Sequence, residues 1–441
     1  MQKIRPLSIL IAIFILPVGV YLVTHRQQFF NRAFGTFANI YVNAGNVVGG
    51  KKEVWRNLAQ GGEEKGRQLL PVIDKIKVLQ PKYIRIDHVF DYYTREELDL
   101  VIKDILATGA KPFISLSYMP PAISKTGGIT DLPSDWQAWE NLVTETIEHI
   151  SGRSGLGIQD VYYEVWNEPD LFGGFKINGA KSYLDLYVHT ANGAARARNV
   201  HPFKIGGPAT TGFYENWLSK LVALSQESNV RLDFLSWHRY SMDLNSYESD
   251  LSAASHYDSY ELVVSELGPD PENNGIYDGY FSAIHTIATA ALMEGKIDKI
   301  FNFEIKDGPG EKKYWGRWGM ITHEKHGVPE TKLRYNAITF LNKLSRGESL
   351  ESSGNGSWVK AVAKEINGKV FLLLVNYDPA GKHQEAVPVR IDNLKSGEFS
   401  LKRYDFAGGV SEGKINLESN SWQSVVFMKP NSALIFELWA I

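Results

Sequence analysis

The segment YIRIDHVFDYYTREELDLVIKDILATGAKPFISLSY, residues 83–118, decides the fold. It opens with a short run rich in β-branched and aromatic residues, YIRID at 83–87, and closes with another, PFISLSY at 112–118. Between them, REELDLVIKDILAT (95–108) sets apolar residues at 98, 101, 102, 105 and 106. That spacing is one face of a helix, and Gly109 stops it. A strand, a helix and a strand of these lengths form a β-α-β unit of a parallel sheet.

The same grammar repeats outward from this segment. ANIYVN (38–43), VYYEVW (161–166), FKIGGP (203–208), FLSWHRY (234–240), LVVSE (262–266) and KIFNFEI (299–305) read as further strands, making eight. Helical stretches at 135–150, 183–197 and 331–344 lie between or after them, the first with Ser134 as N-cap. Eight alternating units predict an α/β fold, a (β/α)8 TIM barrel over residues 29–347. An open doubly wound sheet would need a Gly-rich phosphate turn after the first strand, and AGNVVGG (44–50) is a poor one. From about 348 the pattern changes. WVKAVAKEINGKVFLLLVNYD alternates on both sides of Asn367-Gly368 and reads as a hairpin, and four more alternating runs follow. Residues 348–441 are therefore expected to form a β-sandwich-like module that braces the barrel, with sugar binding as the other reading.

Bulk properties narrow the function. A net charge of −3 over 441 residues suggests no nucleic-acid partner. With no cysteine, thiolate catalysis, disulfides and Cys-ligated zinc are excluded. There is no HExxH, P-loop, EF-hand or G-x-S-x-G spacing, so neither metal nor cofactor is expected. Nothing in the spacing of Asp87, His88 and His238 demands a metal. Residues 7–23, LSILIAIFILPVGVYLV, are an uncharged and mostly apolar run at the short limit for a membrane span. Residues 1–28 are read as an uncleaved transmembrane anchor, with a cleaved signal peptide as the alternative. Either reading puts the large domain outside the cytoplasm.

The chemistry concentrates at strand ends, where a barrel of this type carries its active site. EVWNEPD (164–170) follows the fourth expected strand, and Glu266 ends the seventh. Two carboxylates facing one another suit cleavage of a glycosidic bond: one protonates the departing oxygen, the other meets the positive charge developing at the sugar carbon. A separation of about 5–5.5 Å implies retention of configuration and about 6.5–9.5 Å implies inversion. By strand period, Arg85 shares a face with Asp87, and His238 with Tyr240. Tyr118, Trp315 and Trp318 are candidates to stack on sugar rings, and His88 to line the site.

These motifs resemble glycoside hydrolase clan A, and most of all family 39, which includes β-xylosidases and α-L-iduronidases. The resemblance lies in EVWNEPD, SYMPP (117–121), GGPAT (206–210), DFLSWHRY (233–240) and GMIT…KLRYNAITFLNKL (319–344). It implies Glu168 as acid/base, Glu266 as nucleophile and Asn167 on the sugar 2-hydroxyl. It further implies that His238 and Tyr240 line the sugar subsite, Tyr240 donating to Glu266. Phe303 falls where the family usually has a tryptophan under the sugar. On the second strand the family's Arg-x-His is replaced by Arg85-Ile86-Asp87 followed by His88, which puts xylosidase specificity in question. The expectation is a membrane-tethered retaining glycosidase cleaving β-type bonds in an oligo- or polysaccharide. A non-catalytic sugar-binding barrel and a transglycosylase are the alternatives.

Overall fold

The computed structural model describes residues 35–50, 52–61, 64–272, 274–314 and 318–441. The apolar run at 7–23 lies outside them. Among the described residues no helix is long and apolar enough to cross a membrane.

Eight parallel strands close into a barrel: β2 (Asn57–Gln60), β3 (Tyr83–Ile86), β4 (Lys111–Leu116), β5 (Val161–Val165), β6 (Phe203–Thr210), β7 (Phe234–Tyr240), β8 (Glu261–Gly268) and β9 (Lys299–Phe303). β9 pairs with β2 to complete the ring. Helices α1 (Ile73–Leu79), α2 (Arg95–Ala107), α3 (Trp136–Ile150), α4 (Tyr183–Arg196), α5 (Glu215–Ser228), α6 (Leu244–Ala254), α7 (Tyr280–Met293) and α8 (Leu333–Leu341) follow the strands in turn. The helix starts obey local chemistry. Thr94 and Glu97 form a reciprocal capping box on α2, and Asp135, not Ser134, caps α3 through its bond to Gln137 N.

One expected strand is displaced. Residues 38–43 do not enter the barrel. They belong to β1 (Ile40–Gly49), which pairs with β10 (Glu348–Ser353) and β13 (Glu385–Asp392) in the C-terminal sheet. The true first barrel strand is the four-residue NLAQ, buried at every position. The physical reason is visible in burial. β1 alternates buried and half-buried residues at its start, as a strand with one covered face does, whereas barrel strands are covered on both.

The C-terminal region adds β11 (Val359–Ile366), β12 (Lys369–Asn376), β14 (Gly397–Asp405), β15 (Val410–Leu417), β16 (Ser421–Met428) and β17 (Ser432–Ala440). These and β1, β10 and β13 form one continuous nine-stranded sheet in the order β15-β14-β17-β12-β11-β10-β1-β13-β16, not two separate sheets. It folds over onto itself. Trp422 of β16 meets Phe436 of β17 at 5.4 Å although five strands intervene in the order given, and Ile40, Val387, Leu372 and Leu434 share their core. The other face of β11, β12 and β17, through Val362, Phe371, Leu373 and Ile435, joins the core of the barrel.

Helix α7 lies at that junction and is buried on every side from Ser282 to Met293. Glu294, just past its end, pairs with Lys364 of β11 at 2.5 Å, both side chains shielded from solvent. His285 on the same helix packs edge-on against Tyr377 and donates from Nε2 to the carbonyl of Ser241 at 2.8 Å. Burial pushes this imidazole down to about 3. Folded His285 thus stays neutral where the unfolded chain takes up a proton. Its stabilising effect is complete above pH 6.5 and is lost as pH falls from 6.5 toward 3. Wild-type protein is expected to lose about 2 kcal/mol from this group between pH 6.5 and 5. Urea unfolding of His285→Gln at both pH values should show a smaller loss by that amount; an equal loss removes the assignment.

Candidate active site

The barrel interior is built in layers. A lower layer of Ala59, Phe113, Tyr162, Phe234, Val263 and Phe301 plugs the ring, with Phe113 stacked on Tyr162 at 5.3 Å. Above this plug, toward the C-terminal mouth, the inward residues become polar: Arg85, Glu164, His238 and Glu266. The fully buried Arg85 guanidinium organises them. Its Nε donates to Glu164 at 2.8 Å, one terminal nitrogen to Glu266 at 2.7 Å, and the other to Asn167 Oδ1 at 2.7 Å. Because guanidinium only donates, Asn167 must turn its oxygen to Arg85, and its Nδ2 donates to the Tyr118 hydroxyl at 2.8 Å.

Strand periodicity alone would send Asn167 and Glu168 to opposite faces. The chain escapes that rule because β5 ends at Val165 and both Trp166 (φ 69°) and Glu168 (φ 45°) adopt left-handed backbone. Trp166 thereby turns outward into the core beside Tyr118 and Phe175, and Asn167 and Glu168 both reach the mouth. Bulky residues held at positive φ store strain of about 1–3 kcal/mol each, a pattern that clusters at functional sites.

His238 Nδ1 lies 2.8 Å from Glu168 Oε1 and 3.5 Å from Glu266 Oε2, and the Tyr240 hydroxyl donates to Glu266 Oε2 at 2.7 Å. The nearest ligand atoms of Glu168, His238 and Glu266 all fall within 4.8 Å of one another. Burial pushes Glu266 up, as do the charges of Glu168 and Asp87; His238 and Arg85 pull it back, leaving it above its ordinary value. Burial alone would lower His238, but Glu266 and Glu168 outweigh that and raise it. Arg85 likewise withstands burial because Glu164, Glu266 and Asp87 surround it, so its charge is permanent.

A cavity of about 750 Å³ opens over this layer. Asp87, His88, Tyr118, Asn167, Glu168, Tyr240, Glu266, Phe303 and Trp318 line it. Over residues 74–262, from α1 into β8, the sequence matches the model of glycosyl hydrolases family 39. Over that stretch, under half of its length, the chain is similar to glycoside hydrolase family 39. It is 27% identical over 334 residues to a beta-xylosidase of Caldicellulosiruptor saccharolyticus, covering 68% of this chain and 65% of that one. With a beta-xylosidase of Geobacillus stearothermophilus it shares 25% over 303 residues, 57% of this chain and 56% of that one. The chain thus spans somewhat under two thirds of the length of these curated relatives. A monomeric beta-xylosidase from Caulobacter crescentus CB15 superimposes with a TM-score of 0.72 at 17% identity, covering 92% of this chain and all of that one, a likeness of fold.

The structure brings together all but one of the residues singled out from sequence. Arg85 and His238 lie beneath the cavity and hold the groups that line it. Phe303 closes one side, edge-on to Tyr240 (6.2 Å) and Trp318 (5.8 Å). Trp315 lies outside the described residues. Sequence reasoning missed Gly61, Asp170, Phe172, Thr211 and Glu272, which also line the space. Asp170 was within reach, being the last residue of the EVWNEPD motif. Gly61 was not: a Cβ there would come 2.8 Å from the Phe303 ring, a contact only the fold reveals.

Glu64, His323 and Glu324 form a second convergence of carboxylate and imidazole atoms beside the first loop. There the buried Lys306 ammonium already sits between Glu64 (2.5 Å) and Glu324 (3.0 Å), where a cation would go. The acidic residue at 64, without obvious purpose in the sequence, neutralises that lysine.

Proposed function

We propose that the chain is a retaining glycoside hydrolase acting on β-linked sugars, with Glu266 as nucleophile and Glu168 as acid/base. The observation that carries this reading is the approach of the two carboxylates to within 4.8 Å, the spacing of direct attack rather than of an interposed water. Both close relatives reported above bear the name beta-xylosidase. The apolar run at 7–23 supports tethering to a membrane with the barrel outside the cytoplasm.

The roles follow from the hydrogen bonds. Arg85 and Tyr240 each hold one oxygen of Glu266, fixing the carboxylate and stabilising its charge until it attacks the anomeric carbon. His238 occupies Oε1 of Glu168, so the catalytic proton belongs on Oε2, directed at the departing oxygen. Departure leaves a glycosyl ester on Glu266 and an ionised Glu168. Glu168 then takes a proton from water, whose oxygen attacks the anomeric carbon and frees Glu266. Asn167, its amide fixed by Arg85 and Tyr118, keeps one N–H for the sugar 2-hydroxyl. Proton NMR of an aryl glycoside digest tests the reading directly. The first product detected should have the anomeric configuration of the substrate; the opposite anomer would replace direct attack by water-mediated inversion.

A further inference from the structure

Asp87 is not used by the steps above, yet it is placed where a ligand must meet it. It follows β3 at the mouth, just before the chain turns through His88 at φ 55°. Only 6% of it is exposed, it lines the same cavity as Glu168 and Glu266, and its Oδ1 has no hydrogen-bond partner. A buried carboxylate oxygen left in this state is costly unless something brings a donor to it. Arg85 cannot, since its contacts go to Glu164, Glu266 and Asn167. In the ring of strands, β3 stands across the mouth from the β6–β7 wall, with β5 and β8 on either side of that wall. A sugar whose anomeric carbon lies between Glu168 and Glu266 therefore presents to Asp87 a hydroxyl remote from the bond being cleaved.

Charge sets the class of sugar. Asp87, Glu168, Asp170, Glu266 and Glu272 line the cavity, and no lysine or arginine is among its described lining residues. A uronic acid would add a carboxylate to this wall, where the described lining residues offer no lysine or arginine to receive it. A neutral hydroxyl satisfies Oδ1 without requiring a further ion to be stripped of water. We infer that Asp87 is the specificity-determining residue of this site, selecting a neutral sugar by accepting a hydrogen bond from a ring hydroxyl and turning away uronates. The inference rests on the glycosidase reading for its kinetic consequences but not for its binding ones.

The test compares wild type with Asp87→Asn and Asp87→His on the best neutral aryl glycoside, its 3-deoxy and 4-deoxy analogues, and an aryl glucuronide. Wild type is expected to lose at least about 100-fold in kcat/KM on one deoxy analogue, because a site built around a hydroxyl rejects its absence strongly. Asp87→Asn should be about 100-fold slower on the parent yet treat parent and that analogue within about fivefold of each other. Discrimination of the analogues undiminished in both variants, or a glucuronide cleaved better than the neutral parent, overturns the inference. A separate arm measures binding of D-xylose and D-glucuronate by ligand-observed NMR. Binding of xylose alone, weakened in Asp87→Asn, upholds the inference even if no glycoside is cleaved, which would sink only the hydrolase. Preferential binding of glucuronate overturns it. Melting curves establish that each variant is folded, and Asp87→His carries the comparison if Asp87→Asn is not.

Discussion

Glu266→Ala is expected to reduce kcat/KM on activated aryl glycosides by about 10⁴-fold or more, because on the proposed mechanism it removes the nucleophile and with it the covalent route. The structure adds a diagnostic. Arg85 and Tyr240 would both lose the oxygen they now hold, leaving a cavity lined by donors where the carboxylate stood. A small anion fits that vacancy. Azide should restore turnover and yield a glycosyl azide of inverted configuration, since it attacks from the face that Glu266 used. Glu266→Gln keeps the shape and one acceptor, and should be as inactive while melting closer to wild type. Activity within tenfold of wild type in both variants would move the nucleophile elsewhere.

Glu168→Ala carries the second large effect, and its signature is selectivity. The proton it is proposed to supply matters only when the departing oxygen is basic. On a saccharide or alkyl leaving group the loss should reach about 10²–10⁴-fold in kcat/KM. On a dinitrophenyl leaving group, which departs as a stable anion, kcat/KM should stay within about tenfold. Breakdown of the glycosyl-enzyme then limits kcat, because no base activates water, and added azide should speed it with retention. Equal losses across both leaving-group classes would contradict the acid role.

The parts of this molecule that were legible in sequence share a cause. Strands covered on both faces, such as VYYEV, write themselves as unbroken apolar runs, and amphipathic helices such as α2 write a periodic stripe. NLAQ carries neither mark. It is four residues long, and Gln60 is buried because its side chain bonds Glu304 and the backbone of Lys306, partners more than 240 residues away. At the site, the placement of Glu168 and Glu266 at the barrel mouth was legible from their positions at the ends of expected strands. Of their neighbours, Tyr240 was expected from family resemblance to donate to Glu266, and it does; the geometry around Arg85 was not legible. That Arg85 serves Glu164 and Glu266 together, rather than one of them, follows from inward-facing geometry that no linear spacing encodes. Likewise Asn167 reaches the mouth only through the positive φ of the residues on either side of it.

The placement of β1 between β10 and β13 reaches beyond architecture, into synthesis. A strand near residue 45 whose neighbours lie near residues 350 and 390 has nothing to zip onto until the ribosome has delivered most of the chain. The barrel can begin to assemble from consecutive units, but its buried α7 stays uncovered until the final hundred residues arrive. The nascent protein thus emerges with an orphan edge and a greasy flank, so shortening it from the carboxyl end should yield inclusion bodies rather than a smaller enzyme.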